Sequence, residues 1–241
     1  MSTQIPEDEL NVFKSLKEVR VVYDVGARED SDMFRLCPEY TYHLFGPNPD
    51  FAAKIERHPN IIVNTFGLSD KAEKRRYYGK IQSFKNEGSA EAMGMRGSFL
   101  HRLKRGFLWS LDRAKDTYLR PQVFELRTLD SYAGDMPVDF IKIDTEGYDY
   151  KVLLGAQNTL KRVKYVQFEY WDGVAKFVPL LADFDLFLMM EPKIRKCILA
   201  FTDNQKYDAL LVPLTADVVD LIDENLIPIG ARGNVLGIKK G

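Results

Sequence analysis

Two acidic residues one position apart, Asp144 and Glu146, come directly after the apolar run at residues 138–143. Gly147 follows them, and a helical pattern of apolar residues begins at once. In open α/β sheets, ligands bind outside the carboxyl ends of the strands. We therefore expect both carboxylates at a functional site, where such a group can orient a hydroxyl or accept its proton. Glu146 has a second possible role, since an acid here can also stabilise the start of the next helix.

The overall composition is that of a globular protein. The 241 residues include 34 basic and 35 acidic side chains, giving a net charge of −1, which does not favour a nucleic-acid or membrane partner. Cys37 and Cys197 stand alone, so zinc and disulfides lack support, and we expect two buried thiols. The sequence has no signal-peptide pattern and no run of about 18 apolar residues. We expect one cytoplasmic domain.

Short apolar runs alternate with helical patterns along most of the chain, which predicts βαβ units and a mostly parallel sheet. An amphipathic helix with Leu10, Phe13 and Leu16 on one face precedes the first strand. We expect strands at 19–25, 40–45, 61–66, 123–126, 138–143 and 165–168, and helices at 50–57 and 148–160. The last third is less regular, with strands expected at 186–190, 197–201, 207–211 and 235–238 and a helix at 216–224.

Residues 71–121 break this alternation with polar, basic and glycine-containing sequence. We interpret them as a basic insertion over the strand ends, with a helix at 99–115. Its arginines would suit an anionic acceptor, because Arg pairs bidentately with phosphate. Two other interpretations stay open, a solvated lid and a nucleic-acid path with aromatic side chains for stacking. The basic positions are Arg96, His101, Arg102, Lys104, Arg105, Arg113, Lys115 and Arg120.

Five motifs follow one another along the chain: D-V-G-A at 24–27, F-G-P-N-P-D-F at 45–51, N-T-F-G-L-S-D at 64–70, T-L-D-S-Y at 128–132 and I-K-I-D-T-E-G-Y-D at 141–149. The first lacks the G-x-G-x-x-G spacing of dinucleotide sites. The set resembles the FkbM family of S-adenosylmethionine-dependent methyltransferases over most of residues 19–170. The family's hallmark is a strand ending K-I-D-x-E-G and a helix ending L-x-G-A, which Lys142, Leu154 and Ala156 match in position.

The resemblance implies a Rossmann-like α/β fold: a seven-stranded methyltransferase sheet with helices on both faces. It also implies S-adenosylmethionine as the cofactor and methyl transfer to a hydroxyl oxygen, often of a sugar or polyketide product. The implied cofactor contacts are Asp24, Gly26 and Ala27, with Arg28 beside them, at the methionine end; Gly46, Pro47 and Asn48 near the ribose; Leu68, Ser69 and Asp70 near the adenine; and Asp144 facing the sulfonium.

Two positions depart from the family pattern. Relatives usually read F-E-P-N-P where this chain has Gly46, so the acid expected on the ribose hydroxyls is missing. A charged hydrogen bond contributes about 1.5 to 3 kcal/mol, so its loss would weaken binding roughly ten- to a hundredfold. Asp30 also stands where the turn often has a second glycine. A non-catalytic binding module that kept the fold is therefore an alternative to an enzyme.

Glu169 follows the strand at 165–168 and would lie beside Asp144 if these strands are neighbours. It could act as a second base, bind a sugar hydroxyl, or form half of a metal site with Asp144. Tyr170 and Trp171 could stack on a flat substrate. Our first hypothesis is an O-methyltransferase for a glycan or other hydroxylated small molecule, with Asp144, Glu146 and Glu169 as catalytic residues. A nucleic-acid methyltransferase is the less favoured alternative, and metal dependence and oligomeric state stay open.

Overall fold

A computed structural model describes residues 7–27, 32–77, 122–201 and 209–241 of the chain. The strands are β1 (Val21–Val25), β2 (Thr41–Phe45), β3 (Ile61–Asn64), β4 (Gly67–Leu68), β5 (Glu73–Tyr77), β6 (Gln122–Arg127), β7 (Phe140–Ile143), β8 (Tyr165–Tyr170), β9 (Phe184–Met189), β10 (Leu211–Pro213) and β11 (Gly233–Lys239). Within these residues, eight strands form a sheet of order β10-β9-β11-β8-β7-β1-β2-β3, and three form a small sheet of order β4-β6-β5.

Five neighbouring strands of this large sheet run parallel to one another, in the spatial order β3, β2, β1, β7 and β8. Strand β11 is antiparallel to both β8 and β9, and β10 is antiparallel to β9. The carboxyl ends of β1, β2, β7 and β8 therefore meet along one edge, as the βαβ pattern predicts.

Helices cover both faces of the sheet. They are α1 (Glu7–Ser15), α2 (Asp32–Leu36), α3 (Pro49–Ala52), α4 (Leu129–Ala133), α5 (Asp149–Leu154), α6 (Pro192–Leu199) and α7 (Ala216–Leu221), with 3₁₀ turns at Thr159–Lys161 and Ala175–Leu181 and a π-helical turn at Ile222–Leu226. Val12 and Phe13 of α1 belong to the apolar cluster on one face. Val152 and Leu153 of α5 belong to the cluster on the other. The expected α/β fold with two helical layers is confirmed.

The expected count of seven strands differs from the described sheet, which has eight. The additional strand is β10, which pairs with β9 at the outer edge and ends at Pro213. Proline fits such an edge because it has no backbone N–H to donate to a further strand. The strand expected at 123–126 is confirmed as part of β6, which belongs to the small sheet and pairs with β5 from the start of the expected insertion.

The strand expected at 197–201 is wrong, because Pro192–Leu199 is helix α6. Pro192 starts that helix, and Ile194 and Ile198 are buried one turn apart, so the apolar run follows a helical period. The helix expected at 50–57 ends at Ala52. The two cysteines are half-buried rather than buried. The rest of the expected insertion, from residue 78 to 121, lies outside the described residues.

Candidate active site

The turn after β1 lies against the backbone of Asp144. Gly26 has a φ of +97°, and its N–H donates to the Phe45 carbonyl at 2.9 Å. A Cβ on Gly26 would lie 1.9 Å from the carbonyl oxygen of Asp144. Only glycine fits between these two strands, so the first and last sequence motifs meet at this point.

The carboxylate of Asp144 emerges at the open edge of the sheet. Its backbone N–H donates to the Val25 carbonyl at 2.8 Å, which fixes the end of β7. The side chain is 48% exposed, and its Oδ2 lies 3.1 Å from the ammonium of Lys142. The Asp144 carboxylate is thus accessible at this edge, as the sequence predicts. Its backbone is held in place by the hydrogen bond to Val25.

Lys142 is buried in the sheet directly below Asp144. In register with it are Asp24 on β1 and Gln167 on β8, both buried. The buried Glu9 of α1 places its Oε1 3.8 Å from the Lys142 Nζ, and the Gln167 amide donates to the same oxygen. Glu9, Asp24, Lys142, Asp144 and Gln167 form one polar group, here called the Lys142 cluster.

Burial and charge oppose each other in this cluster. Burial by itself lowers the pKa of Lys142, but Asp144, Glu9 and Asp24 together outweigh it and raise that pKa above its ordinary value. Burial raises the pKa of Glu9 to about 7, although Lys142 opposes the shift. Burial also raises the pKa of Asp24. Lys142 therefore stays charged at neutral pH, while Glu9 is poised to gain or lose a proton.

Sequence reasoning missed Glu9 and Gln167. Glu9 had a detectable signal, since it falls one helical turn before Val12 and Phe13 on the apolar face of α1. A carboxylate on a core-facing stripe needs a partner in the core. Nothing in the local sequence shows that the partner is Lys142, more than a hundred residues later.

A buried carboxylate holds the turn that follows Asp144. Asp149 Oδ2 accepts hydrogen bonds from the Thr145 hydroxyl at 2.6 Å, the Thr145 N–H at 3.3 Å and the Gly147 N–H at 3.4 Å. Its Oδ1 accepts the N–H of Glu169 at 3.0 Å. Asp149 therefore ties the end of β8 to the turn after β7. Asp149 is the last residue of the I-K-I-D-T-E-G-Y-D motif, and this position in the motif was the sequence signal that could have identified its role.

Glu146 lies in that turn with a φ of +54°, in the left-handed region that non-glycine residues seldom adopt. Such backbone is often found at functional sites. It precedes α5 by three residues, since that helix begins at Asp149. Its expected catalytic role stays a prediction.

Glu169 lies beside Asp144, as expected, because Ile143 of β7 pairs with Phe168 of β8. Burial raises the pKa of Glu169 to about 7, and the negative charge of Asp144 adds to that shift. The indole N–H of Trp171 donates to the Glu169 carboxylate. These two carboxyl groups therefore form the acidic edge of the site.

The second motif also reaches this edge. The N–H of Gly46 donates to the Asn64 carbonyl at 3.1 Å, which continues the pairing of β2 and β3. A Cβ on Gly46 would lie 2.9 Å from the carbonyl oxygen of Ala27. An acid at this position would therefore push the turn after β1. Asn48 Oδ1 accepts the Asp50 N–H at 2.9 Å and so shapes the start of α3. Pro47 lies between Gly46 and Asn48, whereas Arg28 and Asp30 lie outside the described residues.

The third motif lies close to the second. The rings of Phe45 and Phe66 are 5.9 Å apart, which brings the ends of β2 and β3 together with the start of β4. Leu68 and Ser69 are buried, and the Ser69 hydroxyl donates to Asp70 Oδ1 at 2.7 Å. That hydrogen bond lowers the pKa of Asp70. The expected adenine contacts are thus a preformed segment whose ligand role stays a prediction.

Two other motifs of the resemblance, L-x-G-A and T-L-D-S-Y, stabilise the fold around the site. A Cβ on Gly155 would lie 2.0 Å from the Ser69 carbonyl oxygen, so the L-x-G-A glycine lets α5 pack on the third motif. The Thr128 hydroxyl caps α4. Asp130 accepts the N–H groups of Asn158 at 2.9 Å and Thr159 at 2.7 Å. These residues brace the site without reaching its open edge.

Within the described part of the chain, no group of three or more His, Cys, Asp or Glu side chains could hold a metal ion. None of the helices in those same residues is long and apolar enough to cross a membrane.

The family model described as the methyltransferase FkbM domain matches residues 24–197 of this chain. The chain belongs to the FkbM methyltransferase family. The match contains four residues of the Lys142 cluster but not Glu9, which precedes it. A comparison with curated proteins gave no significant match.

Three solved structures are similar to this chain at low identity. The methyltransferase FkbM from Methylobacillus flagellatus is 12% identical, with a TM-score of 0.44, covering 77% of this chain and 44% of that chain. The O-methyltransferase of a trans-AT PKS multienzyme of Brevibacillus brevis, in complex with S-adenosylhomocysteine, is 13% identical, with a TM-score of 0.37 and coverage of 97% and 71%. The N-terminal domain of EvdMO1, also with S-adenosylhomocysteine bound, is 9% identical, with a TM-score of 0.40 and coverage of 99% and 82%. This chain spans less than half the length of the first of these proteins.

S-adenosylmethionine is the cofactor of this family, and the described edge fits it. Gly26 has no Cβ, so the turn after β1 packs directly on the Asp144 backbone and the carboxyl ends of β1 and β7 meet at this edge. Below the turn, the Lys142 cluster contains three carboxyl groups and one ammonium, so a further positive charge is electrostatically favoured there. Asp24, Gly26, Ala27 and Asp144 would hold the cofactor, and their contact with it stays a prediction.

Proposed function

We propose that this chain is an S-adenosylmethionine-dependent O-methyltransferase that acts on a hydroxyl of a sugar, glycan or related small molecule. The observation that supports it most is the pair of carboxyl groups, Asp144 and Glu169, at the ends of neighbouring parallel strands. They stand at the edge that carries the glycine turn of the family's cofactor site. When bound, the cofactor supplies an electrophilic methyl group.

Glu169 is the better placed general base. Its pKa is raised to about 7, chiefly by burial, so it can accept a hydroxyl proton near neutral pH. The Trp171 indole N–H holds its carboxylate in place. Asp144, fixed by Lys142, orients the hydroxyl in line for transfer. Glu146 completes the acidic turn.

The acceptor that we propose carries an anionic group. Arg232 lies over the Trp171 ring, 3.2 Å from its centroid, so a cation stands beside the acidic edge. An Arg held on an aromatic face is suited to carboxylate or phosphate recognition. The basic residues at 96–120 support the same class of acceptor, although they lie outside the described residues.

Methyl transfer can be tested at Asp144. Production of S-adenosylhomocysteine with a panel of hydroxylated sugars, including uronic acids and sugar phosphates, should fall about a hundredfold or more in Asp144→Asn. Asp135→Asn makes the same chemical change at an exposed turn position and should have no effect. Unchanged turnover in Asp144→Asn would show that this carboxylate is not part of the reaction.

A second candidate function is a binding module with an impaired cofactor site. The observation that favours it is Gly46, where the family's acid is replaced and a Cβ would meet the Ala27 carbonyl oxygen at 2.9 Å. Calorimetric titration separates the two functions. Micromolar binding of S-adenosylmethionine supports the enzyme, whereas no heat at millimolar ligand supports the module.

A further inference from the structure

We propose that helix α1 completes the cofactor site: Glu9 is a positioning residue that acts through Lys142 and gives up a proton when a positively charged methyl donor binds beside Asp144. The inference rests on the proposed function for the position of the sulfonium. The family match begins at Asp24 and therefore assigns no role to Glu9.

The Lys142 ammonium is shared between two carboxyl groups of different exposure. Its Nζ lies 3.1 Å from Asp144 Oδ2 at the open edge and 3.8 Å from Glu9 Oε1 in the interior. When Glu9 is ionised, the ammonium divides its attraction between both groups, and Asp144 keeps more negative charge toward the ligand. When Glu9 is protonated, Lys142 neutralises Asp144 more fully. The state of Glu9 is therefore felt at the site without direct contact.

Charged groups from several elements act on Glu9. Lys142 of β7 attracts it, Asp144 and Glu191 repel it, and the Gln167 amide of β8 donates to it. Asp24 acts on the same ammonium from β1. Glu191 itself accepts the Asn234 side-chain amide at 2.8 Å. The cluster thus has an excess of acidic groups, and burial holds the pKa of Glu9 at about 7.

A cation bound at the open edge offsets part of the free-energy cost of ionising Glu9 in the interior. The positive charge favours ionised carboxylates, so it lowers the pKa of Glu9 and releases its proton. S-adenosylhomocysteine has no sulfonium charge and should release less. The chain would then bind the charged donor more tightly than the neutral product as the pH rises through 7. If Glu9 were purely structural, the difference between the two ligands would be the same in the wild type and in Glu9→Gln.

Proton release can be counted by calorimetry at pH 6.5 in buffers of different ionisation enthalpy. This pH lies below the titration of a free α-amino group, at about 7.7 to 8.0. We expect the wild type to release more protons on binding S-adenosylmethionine than S-adenosylhomocysteine, with about half a proton coming from Glu9. Glu9→Gln should release about half a proton less than the wild type, and the remaining release comes from Glu169, whose pKa is also about 7. From pH 6 to pH 8, the affinity ratio of the two ligands should rise about fivefold more in the wild type than in Glu9→Gln.

The matched control is Glu18→Gln, which removes an acid from the same N-terminal segment. The Glu18 side chain is 80% exposed and pairs with Lys164, so proton release should equal that of the wild type. Equal release in wild type and Glu9→Gln would overturn the inference while leaving the methyltransferase intact. Absence of binding to the wild type would instead overturn the proposed function.

A second measurement uses the unmodified sequence in case Glu9→Gln does not fold. Carboxyl ¹³C NMR of the wild type should show Glu9 titrating near pH 7 and moving to lower pH with S-adenosylmethionine. An equal midpoint with either ligand, or a midpoint near the ordinary value of 4.5, would contradict the proposal.

Discussion

At the scale of single residues, close approach and buried charge decide the site. Gly26 is required because Asp144 carbonyl oxygen occupies the space of a side chain. Asp149 has four hydrogen-bond contacts to Thr145, Gly147 and Glu169 and so sets the shape of the acidic edge. Gly26 and Asp149 therefore shape the site, and neither is proposed to contact the acceptor.

We predict that Gly26→Ala abolishes cofactor binding and lowers the stability of the chain by about 2 kcal/mol or more, because the backbone must move away from the new methyl group. Gly230→Ala is the matched control, since Gly230 has a φ of +73° but no atom within 4 Å of the added Cβ. It reports left-handed strain alone. Calorimetric titration and thermal unfolding measure both effects, and equal losses in the two variants would contradict the steric explanation.

At the scale of elements, some motifs of the family lie at the proposed site and others stabilise the fold around it. The turns after β1 and β7 carry Gly26, Asp144 and Glu146 to the edge. The L-x-G-A glycine instead lets α5 pack on Ser69, and Asp130 of the T-L-D-S-Y motif joins α4 to the turn at Thr159. Membership in a family motif therefore does not by itself make a residue a ligand contact.

Asp130→Ala tests this division. The Asp130 carboxylate accepts the N–H of Asn158 and both the N–H and the hydroxyl of Thr159. Its removal should cost about 1 to 3 kcal/mol of unfolding free energy, because buried donors lose their acceptor. Cofactor affinity measured at a temperature where the variant is folded should change less than threefold. A larger loss of affinity at unchanged stability would place Asp130 in the binding site. Asp135→Ala, at an exposed turn, is the control.

At the scale of the whole molecule, carboxyl groups whose pKa values are raised by burial set the dependence of stability on pH. Burial raises the pKa of Glu9 to about 7, of Asp149 to about 6 and of Glu169 to about 7. The folded chain therefore binds protons more tightly than the unfolded chain between the ordinary values and these raised values. Stability should fall as the pH rises from about 4 to 7.

Thermal unfolding at fixed ionic strength should accordingly give its highest midpoint near pH 5 and a lower one at pH 8. The total change is on the order of 3 kcal/mol, since each pKa unit corresponds to about 1.4 kcal/mol and the groups are coupled. Glu9→Gln should flatten the slope, because it removes one of the titrating groups, while Glu18→Gln should preserve it. A midpoint that rises from pH 5 to pH 8 would contradict the protonation states assigned to the site.

The sequence by itself determined which edge of the sheet carries the acids. Short apolar runs at β1, β7 and β8, each followed at once by a turn, are local information that a single chain carries. The same information failed where apolar runs are ambiguous, as at Pro192–Leu199, and at the edge strand ending in Pro213.

Only the tertiary structure decided what lies beneath those acids. Glu9 and Lys142 are separated by more than a hundred residues, and no local pattern pairs them. Their contact follows from the packing of α1 on the β7 face, which buries both charges together. The sequence places Glu9 on the apolar face of an amphipathic helix, but only the fold shows that it shares with Asp144 the ammonium of Lys142.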